Sequence, residues 1–112
     1  MATSSLHSLN TFALKASARE IVAVCKLEQL HACIPLSQPY LVLGGGSNLL
    51  FCDDFDGTVI HNQMKGIEYW QDEQNHYFNV AGGENWHQFV MYCANKGIGG
   101  LENLALIPGS VG

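Results

Sequence analysis

Leu43-Gly44-Gly45-Gly46-Ser47-Asn48 is the stretch whose reading decides the fold. It follows Tyr40-Leu41-Val42, so an apolar β-run breaks at once into three glycines, a serine and an asparagine. Such a break turns successive backbone N–H groups toward one concavity, which suits phosphate oxygens. A plain tight turn accounts for one or two glycines, and three in a row followed by Ser47 and Asn48 exceed it. The Walker pattern fails, because Asn48 and Leu49 stand where Gly-Lys-Ser/Thr would end the loop. The dinucleotide pattern matches at Gly44 and Gly46 but meets Leu49 at its third glycine. Met64 and Lys65 occupy the place, about 20 positions on, where an acidic residue is expected. What remains is a set of backbone donors with a hydroxyl, an amide and no cationic side chain. A Cβ at Gly46 is expected to block close approach of backbone to phosphate.

A second glycine loop, Ile107-Pro108-Gly109-Ser110-Val111-Gly112, follows Leu104-Ala105-Leu106. Pro108 fixes φ, Gly109 permits a reversal, and Ile107 and Val111 can lie against a flat ring. From these residues alone a packed loop and a cofactor contact are equally supported. Two such loops in one short chain point to a long phosphate-bearing cofactor held at both ends. That the chain halts inside the second loop raises the expectation of a fragment of something larger.

Residues 11–14 and 21–24 read as short strands, and Tyr40-Leu41-Val42-Leu43 as the strand entering the glycine loop. Leu27, Leu30 and Ile34 form one stripe of a short helix ending before Pro35. Thr58-Val59-Ile60 follows an Asp56-Gly57 turn signal. Ile67-Glu68-Tyr69-Trp70 and Tyr77-Phe78-Asn79-Val80 flank a polar stretch and read as a hairpin. Trp86, Phe89, Val90, Cys93 and Ala94 make the apolar face of a second helix, with Asn85 to cap it and Gly97 to stop it. This order is α+β or mixed α/β. A weak composition change near Lys65-Gly66 divides the chain into 1–65 and 66–112.

The 112 residues have the length of one ordinary domain, and a 47% hydrophobic content is enough for a core. Only five Lys and Arg against ten Asp and Glu, a net charge of −5, argue against a nucleic-acid partner. The longest apolar run, Phe89-Val90-Met91-Tyr92-Cys93-Ala94, is far short of a membrane span. Met1-Ala2-Thr3-Ser4-Ser5 is polar and shows no signal peptide, so the chain reads as soluble and cytoplasmic. Cys25, Cys33, Cys52 and Cys93 include no Cys-x-x-Cys pair, and the histidines lack ligand spacing, so no metal is expected. Each cysteine has apolar neighbours and reads as a buried free thiol. Trp86 and Phe89 read as helix core, His87 as a solvated helix residue, and Glu84 and Glu102 as first-turn or capping residues. Asp53, Asp54 and Asp56 form an acidic turn without calcium-loop spacing.

Taken together, three segments resemble the UDP-N-acetylenolpyruvoylglucosamine reductase family. They are Leu43-Gly44-Gly45-Gly46-Ser47-Asn48-Leu49-Leu50, Gly83-Glu84-Asn85-Trp86, and the run from Gly100-Leu101-Glu102-Asn103-Leu104 to Ile107-Pro108-Gly109-Ser110-Val111-Gly112. Asn10-Thr11-Phe12 fits the same family. The resemblance covers nearly the whole chain but only the first part of the family's length. It implies an α+β FAD-binding domain of the vanillyl-alcohol-oxidase type: a first subdomain, residues 1–65, and an incomplete second one, residues 66–112. It implies pyrophosphate binding by Gly44, Gly45, Gly46, Ser47 and Asn48, and a flavin contact by Ile107, Pro108, Gly109, Ser110 and Val111. The family passes hydride from NADPH through FAD to the enolpyruvyl double bond of UDP-N-acetylglucosamine enolpyruvate, in peptidoglycan precursor synthesis. Its catalytic serine or cysteine, arginine and glutamate are expected beyond Gly112, so no catalytic residue is assigned here. Ser110 matches the flavin-contact loop rather than the proton donor. The 112 residues alone are expected to be inactive and to self-associate through unpaired strand edges. The competing readings are a nucleotide-binding or structural module without redox activity and a different FAD oxidoreductase of the same architecture.

Overall fold

The computed structural model describes residues 4–112; Met1, Ala2 and Thr3, the start of the polar N-terminus, lie outside the described residues. Strands β1 (Ser4–Ser5), β2 (Ser17–Val24), β3 (Tyr40–Leu43) and β4 (Phe55–Asn62) form one sheet in the order β1-β2-β4-β3. Helix α1 (Leu27–Cys33) connects β2 to β3. β2, β4 and β3 run parallel, and β1 pairs antiparallel with the outer edge of β2. The central position of β4 explains its composition. Gly57, Thr58, Val59 and Ile60 are all buried, as expected of a strand paired on both edges and covered on its faces. Thr58 fits there because its hydroxyl accepts from Gln38 Nε2 at 2.6 Å and its N–H donates to the Pro39 carbonyl at 2.8 Å. A Cβ on Gly57 would run into that same Pro39 carbonyl.

The core of this sheet is aliphatic: Leu6, Ala16, Ala18, Leu43 and Val59, with Leu49, Phe51 and Phe55 packed at its border. Residues 11–14, which read as a strand, are instead a turn. Buried Asn10 overrides the β-propensity of Thr11 and Phe12. Its Nδ2 donates to the Leu6 carbonyl at 2.8 Å, its Oδ1 accepts the Leu14 N–H at 3.0 Å, and Ala13 takes φ +52°. The strand that follows begins at Ser17, four residues earlier than 21–24 suggests. Helix α1 stops before Pro35 as expected, but at Cys33, which leaves Ile34 of the expected stripe outside it. It buries no residue outright, and Leu27 and Ile34 stay exposed.

Strands β5 (Ile67–Gln71) and β6 (His76–Val80) form the expected antiparallel hairpin, with Trp70 opposite Tyr77 and Tyr69 opposite Phe78. Its turn is organised by Asp72, whose carboxylate accepts the N–H groups of Gln74 at 2.8 Å and Asn75 at 2.6 Å and the Tyr77 hydroxyl at 2.8 Å. Those three donors hold the Asp72 carboxyl below its ordinary range. Helix α2 (Trp86–Asn95) covers one face of the hairpin. Phe78 stands edge-on to Phe89 and Tyr92 with ring centroids at 5.3 and 6.2 Å. Asn85 caps the helix by accepting the Gln88 N–H at 2.9 Å, and Gly97 ends it at φ +75°. The outward pair Trp70 and Tyr77 stacks at 5.9 Å and leaves Trp70 51% exposed.

The radius of gyration is 16.5 Å, against about 13 Å for a compact chain of about this length. The excess reflects two units that do not share a core. Of the cysteines only Cys93 is buried, and its desolvated thiol is pushed up in pKa. Cys25 and Cys52 are exposed and Cys33 is half-buried, which corrects the buried-thiol reading for those three. Local apolar neighbours do not bury a residue that sits at a strand end or in a surface loop.

Candidate functional site

The carboxyl end of β3 opens into residues 44–48, at the edge where β2 and β4 also end. In parallel sheets this edge is where ligands bind. Loop 44–48 rests on the N-terminal turn. The Thr11 N–H donates to the Gly46 carbonyl at 3.1 Å, and Gly46 has φ +69°. A Cβ on Gly46 would run into the Leu9 carbonyl. The protein's own backbone beneath the loop therefore demands glycine here, a reason separate from the expected close approach to phosphate. Among the described residues no backbone acceptor meets the N–H groups of Gly45, Gly46, Ser47 or Asn48.

Loop 107–112 comes to the same place from the other unit. It runs antiparallel to residues 82–86: Trp86 N–H donates to Gly109 at 3.0 Å, Val111 N–H to Glu84 at 2.9 Å and Gly112 N–H to Gly82 at 3.0 Å, with a bridge between Asn85 and Ser110. The two loops approach closely enough that a Cβ on Gly45 would stand 3.3 Å from the Gly109 Cα. One on Gly44 would stand 2.5 Å from the Ser110 Oγ, and one on Gly109 would stand 2.8 Å from the Ser47 Oγ. Between them lies a cleft of about 400 Å³, lined by Leu41 to Leu49 and by Pro108, Gly109, Ser110 and Gly112. Of the ten residues singled out in the sequence, Gly44, Gly45, Gly46, Ser47, Asn48, Pro108, Gly109 and Ser110 line it. Ile107 and Val111 do not. Ile107 is 48% exposed beyond the cleft, and Val111 is half-buried.

No lining residue carries an ionisable side chain. An anion entering the cleft meets backbone dipoles and two hydroxyls, with no carboxylate to repel it and no lysine or arginine to pair with it. The carboxylates with shifted pKa values lie elsewhere. Asp72 is in the hairpin turn, and Glu102 is held below its usual range by its own N–H and that of Gly100. Among the described residues no three His, Cys, Asp or Glu side chains converge as a metal site would need. No helix of the described residues is long and apolar enough to cross a membrane.

Several residues that shape the site are invisible to local pattern. Gly82 and Gly83 cross under residues 62–64: a Cβ on Gly83 would meet Met64, and one on Gly82 would meet the Asn62 amide. Glu84 secures the crossing by accepting the Gly66 N–H at 2.8 Å. Trp86 is not simply helix core, since its Nε1–H donates to the Leu104 carbonyl at 3.0 Å. His87 is not a solvated residue either: it is half-buried, and its Nδ1 accepts the Leu106 N–H at 2.9 Å. For Gly83, Glu84 and Trp86 the signal was the resemblance carried by Gly83-Glu84-Asn85-Trp86; Gly82 and His87 had none.

Parallel strands, a glycine loop at their carboxyl edge and a cleft lined by backbone and hydroxyls define the class: an α+β nucleotide-cofactor-binding domain. A family profile described as FAD binding domain matches residues 12–112, and the chain belongs to that family, with FAD as its cofactor. The chain is 48% identical over 111 residues to the UDP-N-acetylenolpyruvoylglucosamine reductase of Pasteurella multocida, covering 96% of this chain and 33% of that protein. It is likewise 48% identical over 112 residues to the reductase of Shewanella oneidensis, with the same coverage of 96% and 33%. The chain thus spans about one third of the length of the curated relatives it matches. The crystal structure of UDP-N-acetylenolpyruvylglucosamine reductase from Thermus caldophilus superposes with a TM-score of 0.72 at 28% identity. That match covers 99% of this chain and 39% of that one.

Proposed function

We propose that the protein is an NADPH-dependent flavoenzyme that reduces UDP-N-acetylglucosamine enolpyruvate to UDP-N-acetylmuramate. It would act in the cytoplasm, in peptidoglycan precursor synthesis, and so serve cell-wall biogenesis, cell shape and cell division. The observation that carries this reading is the meeting of two glycine loops across one cleft free of ionisable side chains, in a chain 48% identical to reductases of that name. When bound, FAD accepts hydride from the nicotinamide and donates it to the substrate.

The residues present fit FAD. Gly44, Gly45, Gly46, Ser47 and Asn48 hold the pyrophosphate through backbone N–H groups, and those of Gly45, Gly46, Ser47 and Asn48 meet no backbone acceptor among the described residues. The missing Cβ atoms of Gly44, Gly45 and Gly46 let ligand oxygens reach those donors. Ile107, Pro108, Gly109, Ser110 and Val111 form the flavin side, where exposed Ile107 offers an apolar surface to a ring. The proposed subdomains are 1–65 and 66–112, a division that the presence of two separate sheets supports, with the cofactor proposed to lie between them. Proton delivery belongs to residues outside these 112, because the cleft offers only the hydroxyls of Ser47 and Ser110, both committed to cofactor loops. The partner is a small molecule rather than nucleic acid or a membrane. Edge strand β3 carries exposed Tyr40 and Val42, which supports self-association of the 112-residue chain through unpaired edges.

The test is NADPH oxidation by purified full-length protein, with and without UDP-N-acetylglucosamine enolpyruvate, alongside its flavin absorbance. A yellow protein with substrate-dependent turnover is expected. A flavin-free protein, or one whose NADPH oxidation ignores the substrate, overturns the reading.

A further inference from the structure

We propose that His87 is the positioning residue of the flavin-side loop: its Nδ1 accepts the Leu106 N–H and sets the left-handed Leu106 from which residues 107–111 are aimed at the cofactor. This rests on the reading of residues 107–111 as the flavin contact.

Leu106 has φ +66° and is 80% exposed, an uncommon conformation for a branched side chain and one that no burial repays. The chain must reverse near this point to bring Gly109 and Ser110 back to residues 82–86. Ile107 cannot take up the reversal in the helical region, because the following Pro108 pushes it to extended backbone. The turn therefore falls on Leu106, and something must hold it there.

Its tethers converge on two residues. Trp86 Nε1–H donates to the Leu104 carbonyl at 3.0 Å, and the Trp86 N–H donates to the Gly109 carbonyl at 3.0 Å. Between those two points the Leu106 N–H donates to His87 Nδ1 at 2.9 Å. The first two residues of α2 thus grip the loop at its entry, its reversal and its exit. For Nδ1 to accept, it must be the unprotonated nitrogen of the ring, which places the ring proton on Nε2. A residue serving only the helix would not need an acceptor at that one position.

The acceptor's location is what the experiment reads. In the full-length protein, His87→Asn places a carbonyl oxygen where Nδ1 stands. His87→Gln moves it outward to the place of Nε2, and His87→Leu removes it. FAD affinity is followed by flavin fluorescence quenching, the environment of the bound ring by visible circular dichroism, and the loop by hydrogen exchange at the Leu106 amide. The Gln and Leu variants are expected to lose about 3- to 10-fold in FAD affinity, with an altered flavin spectrum and faster exchange at Leu106. The Asn variant is expected to stay within about twofold of wild type. If the leucine variant does not fold, the Asn and Gln pair carries the comparison, since both are polar amides. Wild-type affinity and spectrum in the Gln variant, or equal losses in Asn and Gln, overturn the proposal while leaving the flavin reading intact. A wild-type protein that binds no FAD overturns both.

Discussion

Loop 44–48 is seated on backbone, whereas loop 107–112 is tethered by a helix, and the two fail in different ways. The first lies on the turn built by Asn10, with Gly46 pressed against the Leu9 carbonyl and an aliphatic core behind it. The second is held by hydrogen bonds donated by Trp86 and accepted by Glu84 and His87, on a unit whose core is an aromatic cluster of Phe78, Phe89 and Tyr92. A backbone seat excludes any side chain and leaves no room for gradual change. A set of tethers can lose one member and keep the rest. The cleft is thus built from one rigid wall and one adjustable wall.

The largest effect is expected at the rigid wall. Gly46→Val puts a β-branched residue at φ +69° with its Cβ in the Leu9 carbonyl. Urea denaturation should show a loss of about 4 kcal/mol or more. An unfolding midpoint near wild type would break the contrast, and only then would a lost FAD affinity report on phosphate contact alone. Phe89→Ala in the other unit is expected to cost about 3 kcal/mol by opening a cavity beneath Phe78. Because α2 carries the tethers, hydrogen exchange across residues 104–112 should rise while exchange across β2 and β4 stays unchanged. Uniform acceleration in both units would mean that they unfold as one and would erase the comparison.

Asn10→Ala sharpens the account of the seat. It strips the Leu6 carbonyl and the Leu14 N–H of their side-chain partner and should cost about 2 kcal/mol in the same urea assay. FAD affinity should fall with it, and an unaffected affinity would show that loop 44–48 keeps its shape without the turn. The smallest effect belongs to the hairpin. Asp72 has a lowered pKa because the Gln74 N–H, the Asn75 N–H and the Tyr77 hydroxyl favour its charged form. Its contribution is therefore fully present above the ordinary carboxylate value of about 4 and is lost as pH falls below it. Amide exchange in β5 and β6 should show this acid loosening, and Asp72→Asn should remove the pH dependence. A hairpin equally protected at acid and neutral pH in the native protein would contradict it.

Legibility from sequence followed the range of the interactions. The hairpin and α2 could be read because their signals are local: alternation, a polar turn, an asparagine cap and a stop glycine. The first glycine loop could be read because a run of three glycines is rare and follows an apolar strand. The second could be read because Pro108 and Gly109 break an apolar run, which in the structure leads out of a 3-10 turn rather than forming a strand. Residues 11–14 could not, since Thr11 and Phe12 have the composition of a strand and only the contacts of Asn10 with Leu6 and Leu14 turn them. His87 could not, because its partner is 19 residues away.

By itself the sequence determined that the chain has three glycines after an apolar strand, a capped amphipathic helix and an aromatic hairpin, each decided within a few residues by backbone freedom and side-chain periodicity. Only the tertiary structure decided that β4 lies between β2 and β3, and that residues 44–48 and 107–112 face each other across one cleft. It alone also decided that Gly46 is required by the Leu9 carbonyl and that Leu106 is held by His87. The reason is physical: strand order, steric seats and long-range hydrogen bonds depend on which segments meet in space. That meeting is settled by burying the whole apolar surface together, so no short window of residues encodes it.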